Sequence, residues 1–412
     1  MSNEGVLVHR GRLSEDDVHQ YIRGVCFKNG PPGTVGAETE WFVVDVAAPG
    51  AHVPVRRLRT VMDAAEPPPN GSNITYEPGG QLELSSAPFP GLAPLHEGLS
   101  GDLAHVTEAL TAAGLALTGH GVDPVRTPFF QADHPRYECM KGYFAQEFAD
   151  VGMAMMCSTA SVQVCVDIGA DPADAARRWR LAHALGPVLV AAFANSPLRA
   201  GHRTGMRSTR QAIWTDLDPC RTAAPVGDDP AEAWARYALD ARVMIMRMPD
   251  GSWLADPGMT FREWLDKGEP GQQDLEYHLS TLFPPVRPRG WLELRMIDAL
   301  PDPYWPVPVA VATALLDDPR AAAAAEAATE PVADRWAEAA RCGLADPPLA
   351  QAARACFAAA LEALPRLGAA GLVPLVGAYA DRYVDRGRSP ADDHMSRADD
   401  ISRAEENLTW PR

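Results

Sequence analysis

The sequence predicts an α+β fold built on an antiparallel sheet, and three observations lead to this prediction. Helix-like and strand-like segments are mixed along the 412 residues, without the regular strand–helix–strand order of a parallel α/β protein. Four segments alternate acidic or amide side chains with aliphatic ones, as antiparallel strands do when one face packs on a core. After Pro306 the chain is rich in alanine and almost entirely helical in pattern. The four alternating segments are residues 37–41, 81–85, 161–167 and 291–295.

Local signals place the individual elements along the chain. Ser14 can cap the first helix, and three acidic residues follow in its first turn. The predicted elements of the first part are a helix over 13–27, strands over 34–46 and 73–87, a helix over 92–113, a strand over 115–121 and a helix over 137–150. Those that follow are a strand within 153–168, a helix over 172–195 broken at Gly186-Pro187, a basic loop over 201–210, short elements over 237–246, 259–265 and 276–281, and a strand at 291.

No internal repeat and no strong linker divides the chain. We therefore expect one large domain over residues 1–412, with a mostly helical part at 306–385. Residues 386–412 are charged and are expected to form a mobile tail.

Composition excludes several classes of protein. The net charge of −17 argues against broad binding to nucleic acids or anionic membranes. No run of about 18 to 20 apolar residues predicts a membrane span, and the first 12 residues lack the apolar stretch of a signal peptide. The seven cysteines are scattered without a C-x-x-C pair, which is typical of reduced thiols and indicates a cytoplasmic protein.

The acidic strand faces carry the chemical signal. Because side chains alternate along a strand, Glu38 shares a face with Glu40, as does Glu293 with Arg295. The same holds for Gln81 with Glu83 and for Ser161 with Gln163. Glutamates that converge on one concave sheet repel one another unless cations lie among them, which predicts a metal-dependent enzyme. Carboxylate ligands favour Mg²⁺ or Mn²⁺, and the singly placed histidines disfavour zinc.

Each feature taken singly also has a plainer interpretation. One pair of glutamates is equally typical of a solvent-facing strand edge, and Glu77 could form the rim of a hairpin. The basic loop with Arg203, Arg207 and Arg210 could be solvated, or could bind a triphosphate or a carboxylate. Lys141 is notable because the chain has only three lysines, but a surface position is equally compatible with it. P-loop, dinucleotide-binding, H-E-x-x-H and G-x-S-x-G motifs are absent from the sequence.

Seven blocks, in order, resemble the glutamate–cysteine ligases of the plant and bacterial type, and most of all the actinobacterial enzymes that supply γ-glutamylcysteine for ergothioneine. The Glu-Pro-Gly-Gly-Gln-x-Glu block at 77–83 is highly specific, and the resemblance covers about residues 34–301. The blocks are residues 36–41, 76–88, 136–141, 161–164, 193–197, 206–216 and 291–295.

The resemblance implies a glutamine-synthetase-like fold, in which a curved antiparallel sheet forms a funnel with helices outside. It implies ATP-dependent joining of L-glutamate to L-cysteine, with Mg²⁺ as cofactor and Mn²⁺ as a substitute, in a monomer or weak homodimer. The Mg²⁺ ligands implied are Glu38, Glu40, Glu83 and Glu293. Catalytic contacts are implied for Arg207, Arg295 and Glu77, and nucleotide or metal-site contacts for Gln163, Lys141, Arg203 and Arg210. The disulfides that regulate the plant enzymes are not implied by the scattered cysteines here.

The chemistry of such a ligase fits these residues. A carboxylate is a poor electrophile, so ATP first converts it to an acyl phosphate, which the amine then attacks. Mg²⁺ and arginines stabilise the charge on the transferring phosphoryl group. A sheet glutamate is expected to accept the proton of the amine. Two alternatives remain open at this point: a ligase of the same fold that uses another amine, and a protein that binds metal or ligand without catalysis.

Overall fold

A computed structural model describes residues 12–248 and 250–396 of the chain. Its strands are β1 (Val35–Asp45), β2 (Asn73–Tyr76), β3 (Leu82–Ser85), β4 (Leu115–Thr118), β5 (Ser161–Asp167), β6 (Leu198–Arg199), β7 (His202–Arg203), β8 (Ile245–Arg247), β9 (Trp253–Ala255), β10 (Val286–Pro288) and β11 (Trp291–Asp298). Within the described residues, seven strands form one antiparallel sheet in the order β10-β11-β5-β1-β3-β2, and β4 pairs with the second half of β1. The other four strands form the hairpins β6–β7 and β8–β9.

Helices surround this sheet. They are α1 (Glu15–Tyr21), α2 (Val55–Ala64), α3 (Leu92–Ala112), α4 (Pro135–Glu147), α5 (Ala149–Ser158), α6 (Pro172–Ala184), α7 (Gly186–Ala192), α8 (Thr209–Asp216), α9 (Pro219–Thr222), α10 (Pro230–Asp240), α11 (Phe261–Lys267), α12 (Gln272–Leu279), α13 (Pro306–Asp317), α14 (Pro319–Thr329), α15 (Trp336–Cys342), α16 (Pro347–Ala363) and α17 (Val373–Tyr379). Single π-helical turns at Ile22–Cys26 and Ala380–Val384 extend α1 and α17. In the described parts of the chain, no helix is both long enough and apolar enough to cross a membrane.

The apolar face of the sheet forms the core. The alternating aliphatic side chains of β1, β3, β5 and β11 are almost fully buried, and α13 packs against β5 while α7 packs against β11. Burial of this face leaves the acidic side chains on the opposite face, because a strand directs successive side chains to opposite sides. The buried aliphatic residues are Val35, Val43, Leu82, Leu84, Val162, Val164, Val166, Leu292 and Leu294.

The register brings the acidic positions of different strands together. Glu40 lies directly opposite Glu83 of β3, and Glu38 lies opposite Gln163 of β5. Cα atoms of opposed residues in antiparallel strands are about 4.5 to 5.5 Å apart, so these side chains meet on one face. The four strands with acid or amide faces are therefore neighbours in the sheet, as the sequence pattern predicted.

Most helices lie where the sequence predicted them, and one departure has a clear physical cause. The break at Gly186-Pro187 is confirmed: α6 ends before it and α7 begins at Gly186. A Cβ atom at Gly186 would lie 2.0 Å from the ring of Trp336, so glycine is needed for α15 to approach. Helix α5 was not predicted. Its residues 154–158 are buried on all sides, so they lack the polar face that reveals an amphipathic helix.

The C-terminal part of the chain is helical from Pro306 onward, as predicted. Part of the tail expected at 386–412, residues 397–412, lies outside the described residues. Residues 1–11, where no signal peptide was expected, also lie outside them. Residues 388–396, called here the C-terminal segment, make specific contacts with the body of the protein. Ser389 and Ala391 are fully buried, and the Ala391 amide donates a hydrogen bond of 3.0 Å to the Ala194 carbonyl oxygen.

Candidate active site

Three glutamates from neighbouring elements form a carboxylate cluster. Glu40 lies on β1, Glu77 follows β2, and Glu83 lies on β3. Each offers an oxygen that lies within 4.8 Å of the oxygens of the other two, and all three side chains are partly buried. An all-carboxylate set of this kind is the donor chemistry that Mg²⁺ and Mn²⁺ prefer.

The Pro-Gly-Gly turn at residues 78–80 places Glu77 in this cluster. The Glu77 amide donates to the Gln81 carbonyl oxygen at 2.9 Å, and the Gly80 amide donates to the Glu77 carbonyl oxygen at 2.8 Å. A Cβ atom at Gly79 would lie 2.2 Å from the carbonyl oxygen of Cys157, so only glycine lets the turn pack on the end of α5. The turn therefore needs its glycines for a structural reason that serves the site.

Hydrogen bonds orient the carboxylates of the cluster. Glu40 accepts from the Ser161 amide at 2.7 Å and from the Gln163 side-chain amide at 3.1 Å. Glu83 accepts from the hydroxyls of Thr75 at 2.8 Å and Ser85 at 2.9 Å. Partners of this kind fix ligand geometry around a metal ion.

Burial and mutual repulsion disfavour the charged forms of these acids. Burial and the nearby Glu83 raise the pKa of Glu40, and burial with Glu83 and Glu40 raises the pKa of Glu77 well above its usual range. Burial, Glu293 and Glu83 raise the pKa of Glu38 to about 8. A divalent cation relieves this repulsion, so the electrostatics fit a metal site.

The cluster lines a cavity of about 450 Å³, and five arginines line the same cavity. Glu38, Gln163 and two apolar rings, Trp214 and Phe283, also line it. A cavity lined by both carboxylates and guanidinium groups can hold a metal ion together with anionic groups of a substrate. The arginines that line it are Arg136, Arg210, Arg287, Arg289 and Arg295.

Arg210 is a buried arginine of the cavity lining whose guanidinium group is only partly hydrogen-bonded. Its side chain is 2% exposed, and its Nη2 donates to the Arg295 carbonyl oxygen at 2.8 Å. Its Nε and Nη1 are buried and have no hydrogen-bond partner among the described residues. Buried guanidinium N–H groups of a cavity-lining residue are ready donors for an anion.

Arg295 is linked to Glu40 of the carboxylate cluster through Gln163. Its Nη1 donates to the Gln163 side-chain oxygen at 2.6 Å, and Gln163 in turn donates to Glu40. The guanidinium carbon also lies 5.9 Å from the ring centres of both Trp214 and Phe283, which restricts its movement. Gln163 and Arg295 were predicted as site residues, and the structure places both at the cavity.

Glu293 lies outside the carboxylate cluster, although it was predicted as a metal ligand with Glu38, Glu40 and Glu83. It is fully buried, and Arg287 donates two hydrogen bonds to it, at 2.6 and 3.1 Å. Burial alone would raise its pKa, but Arg287 and Arg295 outweigh that effect and lower the pKa to about 2. Glu77 joins Glu40 and Glu83 in the cluster, Glu38 lines the same cavity, and Glu293 pairs with Arg287. The ligand roles of Glu38 and Glu293 stay predictions.

Three predicted basic residues are not at the cavity. Arg207 pairs with Asp392 through its Nε at 2.8 Å, and Arg203 donates to the Met395 carbonyl oxygen at 2.8 Å, so both contact the C-terminal segment. Lys141 lies on α4, with its Nζ 4.5 Å from the centre of the Phe130 ring. The roles predicted for these three side chains, in phosphate, nucleotide or carboxylate binding, stay predictions.

Sequence reasoning missed three arginines of the cavity. Arg287 and Arg289 alternate within the proline-broken stretch before β11, a pattern that could have indicated one strand face. Arg136 lies at the start of α4, within one of the blocks of family resemblance, and its Nη2 donates to the Ser280 carbonyl oxygen at 2.8 Å. A basic residue in a matched block was the available signal.

Comparison with known proteins agrees with this geometry. The chain matches the model of glutamate-cysteine ligase family 2 (GCS2) over residues 34–408. The chain belongs to this family. Among its GCS2 relatives is the protein named glutamate–cysteine ligase EgtA of Mycolicibacterium smegmatis, 42% identical over 96% of this chain and 94% of the relative. EgtA of Mycobacterium tuberculosis is 42% identical over 92% and 89%. The chloroplastic glutamate–cysteine ligase of Arabidopsis thaliana is 36% identical over 56% of this chain and 46% of its own.

Solved structures share the fold of this GCS2 member. The glutamate–cysteine ligase of Francisella tularensis, solved in complex with AMP, has a TM-score of 0.56 at 11% identity and covers 89% of this chain and 85% of its own. A bifunctional glutathione synthetase from Pasteurella multocida has a TM-score of 0.51 at 15% identity and covers 95% and 51%. The predicted α+β fold is confirmed.

Proposed function

We propose that this GCS2 member is an ATP-dependent glutamate–cysteine ligase, which joins the γ-carboxylate of L-glutamate to the amine of L-cysteine. The observation that carries the proposal is one cavity lined by the Glu40, Glu77 and Glu83 carboxylates together with Arg210 and Arg295. ATP-dependent ligation needs both halves, because the phosphates require a cation and the transferring group requires fixed positive charge. The names of the mycobacterial and plant relatives support the same reaction.

The carboxylate cluster is proposed as the Mg²⁺ site, with Mn²⁺ as a substitute. When bound, the cation would neutralise phosphate oxygens and orient ATP. Glu40 and Glu83 lie on adjacent strands of the sheet, so the site is built on a rigid support. Gln163 and Thr75 would keep the ligands oriented through their hydrogen bonds.

The arginines are proposed to act on the reacting groups. A γ-carboxylate oxygen attacks the terminal phosphorus of ATP, the bond to ADP breaks, and a γ-glutamyl phosphate forms. Arg210, whose Nε and Nη1 have no hydrogen-bond partner among the described residues, would stabilise the charge on the transferring phosphoryl group, and Arg295 would assist. The amine then attacks the acyl carbon, phosphate leaves, and a sheet carboxylate accepts the proton. Glu38, which lines the cavity outside the cluster, is the candidate acceptor.

Phosphate release with ATP, Mg²⁺ and L-glutamate tests the reaction directly. We expect release that depends on L-cysteine, with γ-glutamylcysteine detected by mass. A panel of other amino acids in place of cysteine is the control for the acceptor. Release that ignores cysteine and responds to another amine would overturn the acceptor assignment, and ATP binding without product would contradict the ligase itself.

We also propose that the product supplies ergothioneine biosynthesis in the cytoplasm, and that the protein is a monomer or weak homodimer. Similarity to the proteins named EgtA supports the pathway. The seven scattered cysteines, which lie in no disulfide among the described residues, support a reducing compartment. Deletion of the gene with measurement of ergothioneine, and light scattering of the purified protein, test the two points.

Mg²⁺ is expected to stabilise the protein against heat, and more so at about pH 8 than at about pH 5.5. The pKa values of Glu38, Glu40 and Glu77 are raised in the fold, so the unfolded chain loses these protons at a lower pH than the folded protein does. The stability that these groups give the metal-free fold therefore decreases as pH rises from their unfolded pKa of 4.5 to their folded pKa. A bound cation reverses that loss. Thermal unfolding with EDTA or Mg²⁺ measures the effect, and an equal Mg²⁺ shift at both pH values would contradict it.

A further inference from the structure

The backbone that carries Arg210 is held by a buried network centred on Asp298. Asp298 ends β11 and is 2% exposed. It accepts hydrogen bonds from the hydroxyls of Ser196 at 2.7 Å and Ser208 at 2.9 Å. The Ser196 hydroxyl oxygen accepts in turn from the Arg210 amide at 3.1 Å. One buried carboxylate therefore ties both ends of residues 196–210 to the sheet.

The C-terminal segment joins this network at two points. Asp392 pairs with Arg207, two residues before the start of α8, through the Nε at 2.8 Å. His394 Nε2 lies 3.0 Å from the side-chain oxygen of Asn195. Asn195 is itself bound to the sheet, since its amide donates to Asp298 at 2.8 Å. The segment thus contacts Asn195, which belongs to the Asp298 network, and Arg207, which directly precedes Ser208.

Other contacts fix the C-terminal segment on the helical side of the protein. Asp393 accepts from Arg382 at 2.8 Å, from Arg388 at 2.9 Å and from the Tyr383 hydroxyl at 3.0 Å. Asp392 also accepts from the Ser389 amide at 2.9 Å, which orders the turn that presents it to Arg207. The segment is therefore a firm support for Arg207.

Few hydrogen bonds fix the Arg210 guanidinium group itself. Among the described residues, Nη2 donates one, to the Arg295 carbonyl oxygen, and the guanidinium carbon lies 5.8 Å from the centre of the Trp214 ring. The side chain is otherwise held by packing, since it is 2% exposed. Its direction into the cavity therefore depends on where its backbone lies. A displacement of about 1 Å at such a group can cost about 10²-fold in rate.

We propose that Asp392 is a positioning residue, through which the C-terminal segment holds Arg207 and the start of α8 so that Arg210 is directed into the cavity. Arg207 is then a structural link and not a contact to substrate. The kinetic part of this inference rests on the function proposed above for Arg210, whereas the structural part, the order of residues 207–210, does not.

Hydrogen exchange of Asp392→Asn against a matched control tests the structural part. Asp174→Asn is the control, since Asp174 also accepts from an arginine at 2.8 Å and from a backbone amide at 3.0 Å near the start of a helix. The side chains of Asp392 and Asp174 are similarly exposed, at 20% and 23%. We expect the amides of residues 207–210 to exchange about 10-fold faster in Asp392→Asn and to be unchanged in the control. Unchanged exchange in both variants would overturn the proposal.

Kinetics test the other part in the same variants. We expect kcat and kcat/KM of Asp392→Asn to fall together by about 10-fold, because a contact made in the transition state is weakened. In an Arg210→Ala background the same substitution should cost nothing further, and Asp392→Glu should restore part of the rate. An additive loss in that background would overturn the proposal, since Asp392 would then act independently of Arg210.

Two outcomes are handled separately: failure of the ligase proposal, and failure of Asp392→Asn to fold. If no amine supports phosphate release, the ligase proposal fails, but the exchange experiment still decides whether Asp392 orders residues 207–210. If Asp392→Asn does not fold, as judged by its thermal unfolding, His394→Ala removes the second anchor and is compared in the same way. Faster exchange of the amides of residues 207–210 in that variant supports the proposal, and wild-type exchange contradicts it.

Discussion

Glu83→Gln is expected to abolish ATP-dependent ligation while the chain still folds. Glu83 lies opposite Glu40 in the sheet and shares the cluster with Glu77, so it would supply one of the three carboxylate ligands of a cation there. Glutamine keeps the size and an acceptor oxygen for Thr75 and Ser85 but removes the charge. We expect kcat/KM to fall by at least about 10²-fold, as when one preorganised charged group is removed.

The fold should tolerate this change because it removes one of three mutually repelling acids. We expect the thermal midpoint of the metal-free variant to equal or exceed that of the wild type, and the stabilisation by Mg²⁺ to be lost. Glu108→Gln, on the exposed surface of α3, is the control for loss of a single charge. Wild-type turnover by Glu83→Gln would remove the carboxylate cluster from the mechanism.

Arg210→Ala is expected to have the second large effect, and a larger one than Arg207→Ala. Arg210 lines the cavity with free N–H groups, whereas Arg207 is engaged with Asp392 outside it. Loss of the direct contact should lower kcat by about 10² to 10³-fold, as when an oxyanion donor is removed. Loss of the Arg207 link should lower kcat by only about 10-fold, because Arg207 affects the reaction only by positioning Arg210.

Arg210→Lys is the informative companion to this variant. Lysine keeps the positive charge but lacks the planar set of donors, so it should recover only part of the rate. Single-turnover measurement of phosphate release separates the chemical step from product release. A greater loss in Arg207→Ala than in Arg210→Ala would contradict both the site and the proposed link.

Much of the sheet could be predicted from the sequence because its signals are local. The alternation of side chains depends only on the backbone of each strand, so Glu38, Glu40 and Glu83 were correctly expected on one face. The Pro-Gly-Gly turn was equally visible, since the conformations it requires depend on glycine. Helix α5 was missed because burial on all sides removes the pattern by which a helix is recognised.

The partners of each charged side chain could not be predicted in this way. Glu293 has the strand position of a ligand, but β10 brings Arg287 against it and occupies both its oxygens. Arg207 and Arg210 lie three residues apart in one predicted basic loop. Which of them lines the cavity depends on where α8 begins and on the C-terminal segment that packs there. The Arg207–Asp392 contact joins residues 185 positions apart, and the Arg287–Glu293 pair forms only because β10 and β11 fold onto each other, so the pattern of a single strand records neither.

The sequence by itself determined that this protein has an α+β fold with one acidic sheet face, because strand periodicity and glycine turns are properties of short segments. Only the tertiary structure decided which of those acids cluster, which arginines face them and which serve as supports. The physical reason is that the charge environment of a buried group depends on its neighbours in space, and those neighbours come from distant strands and from the C-terminal segment.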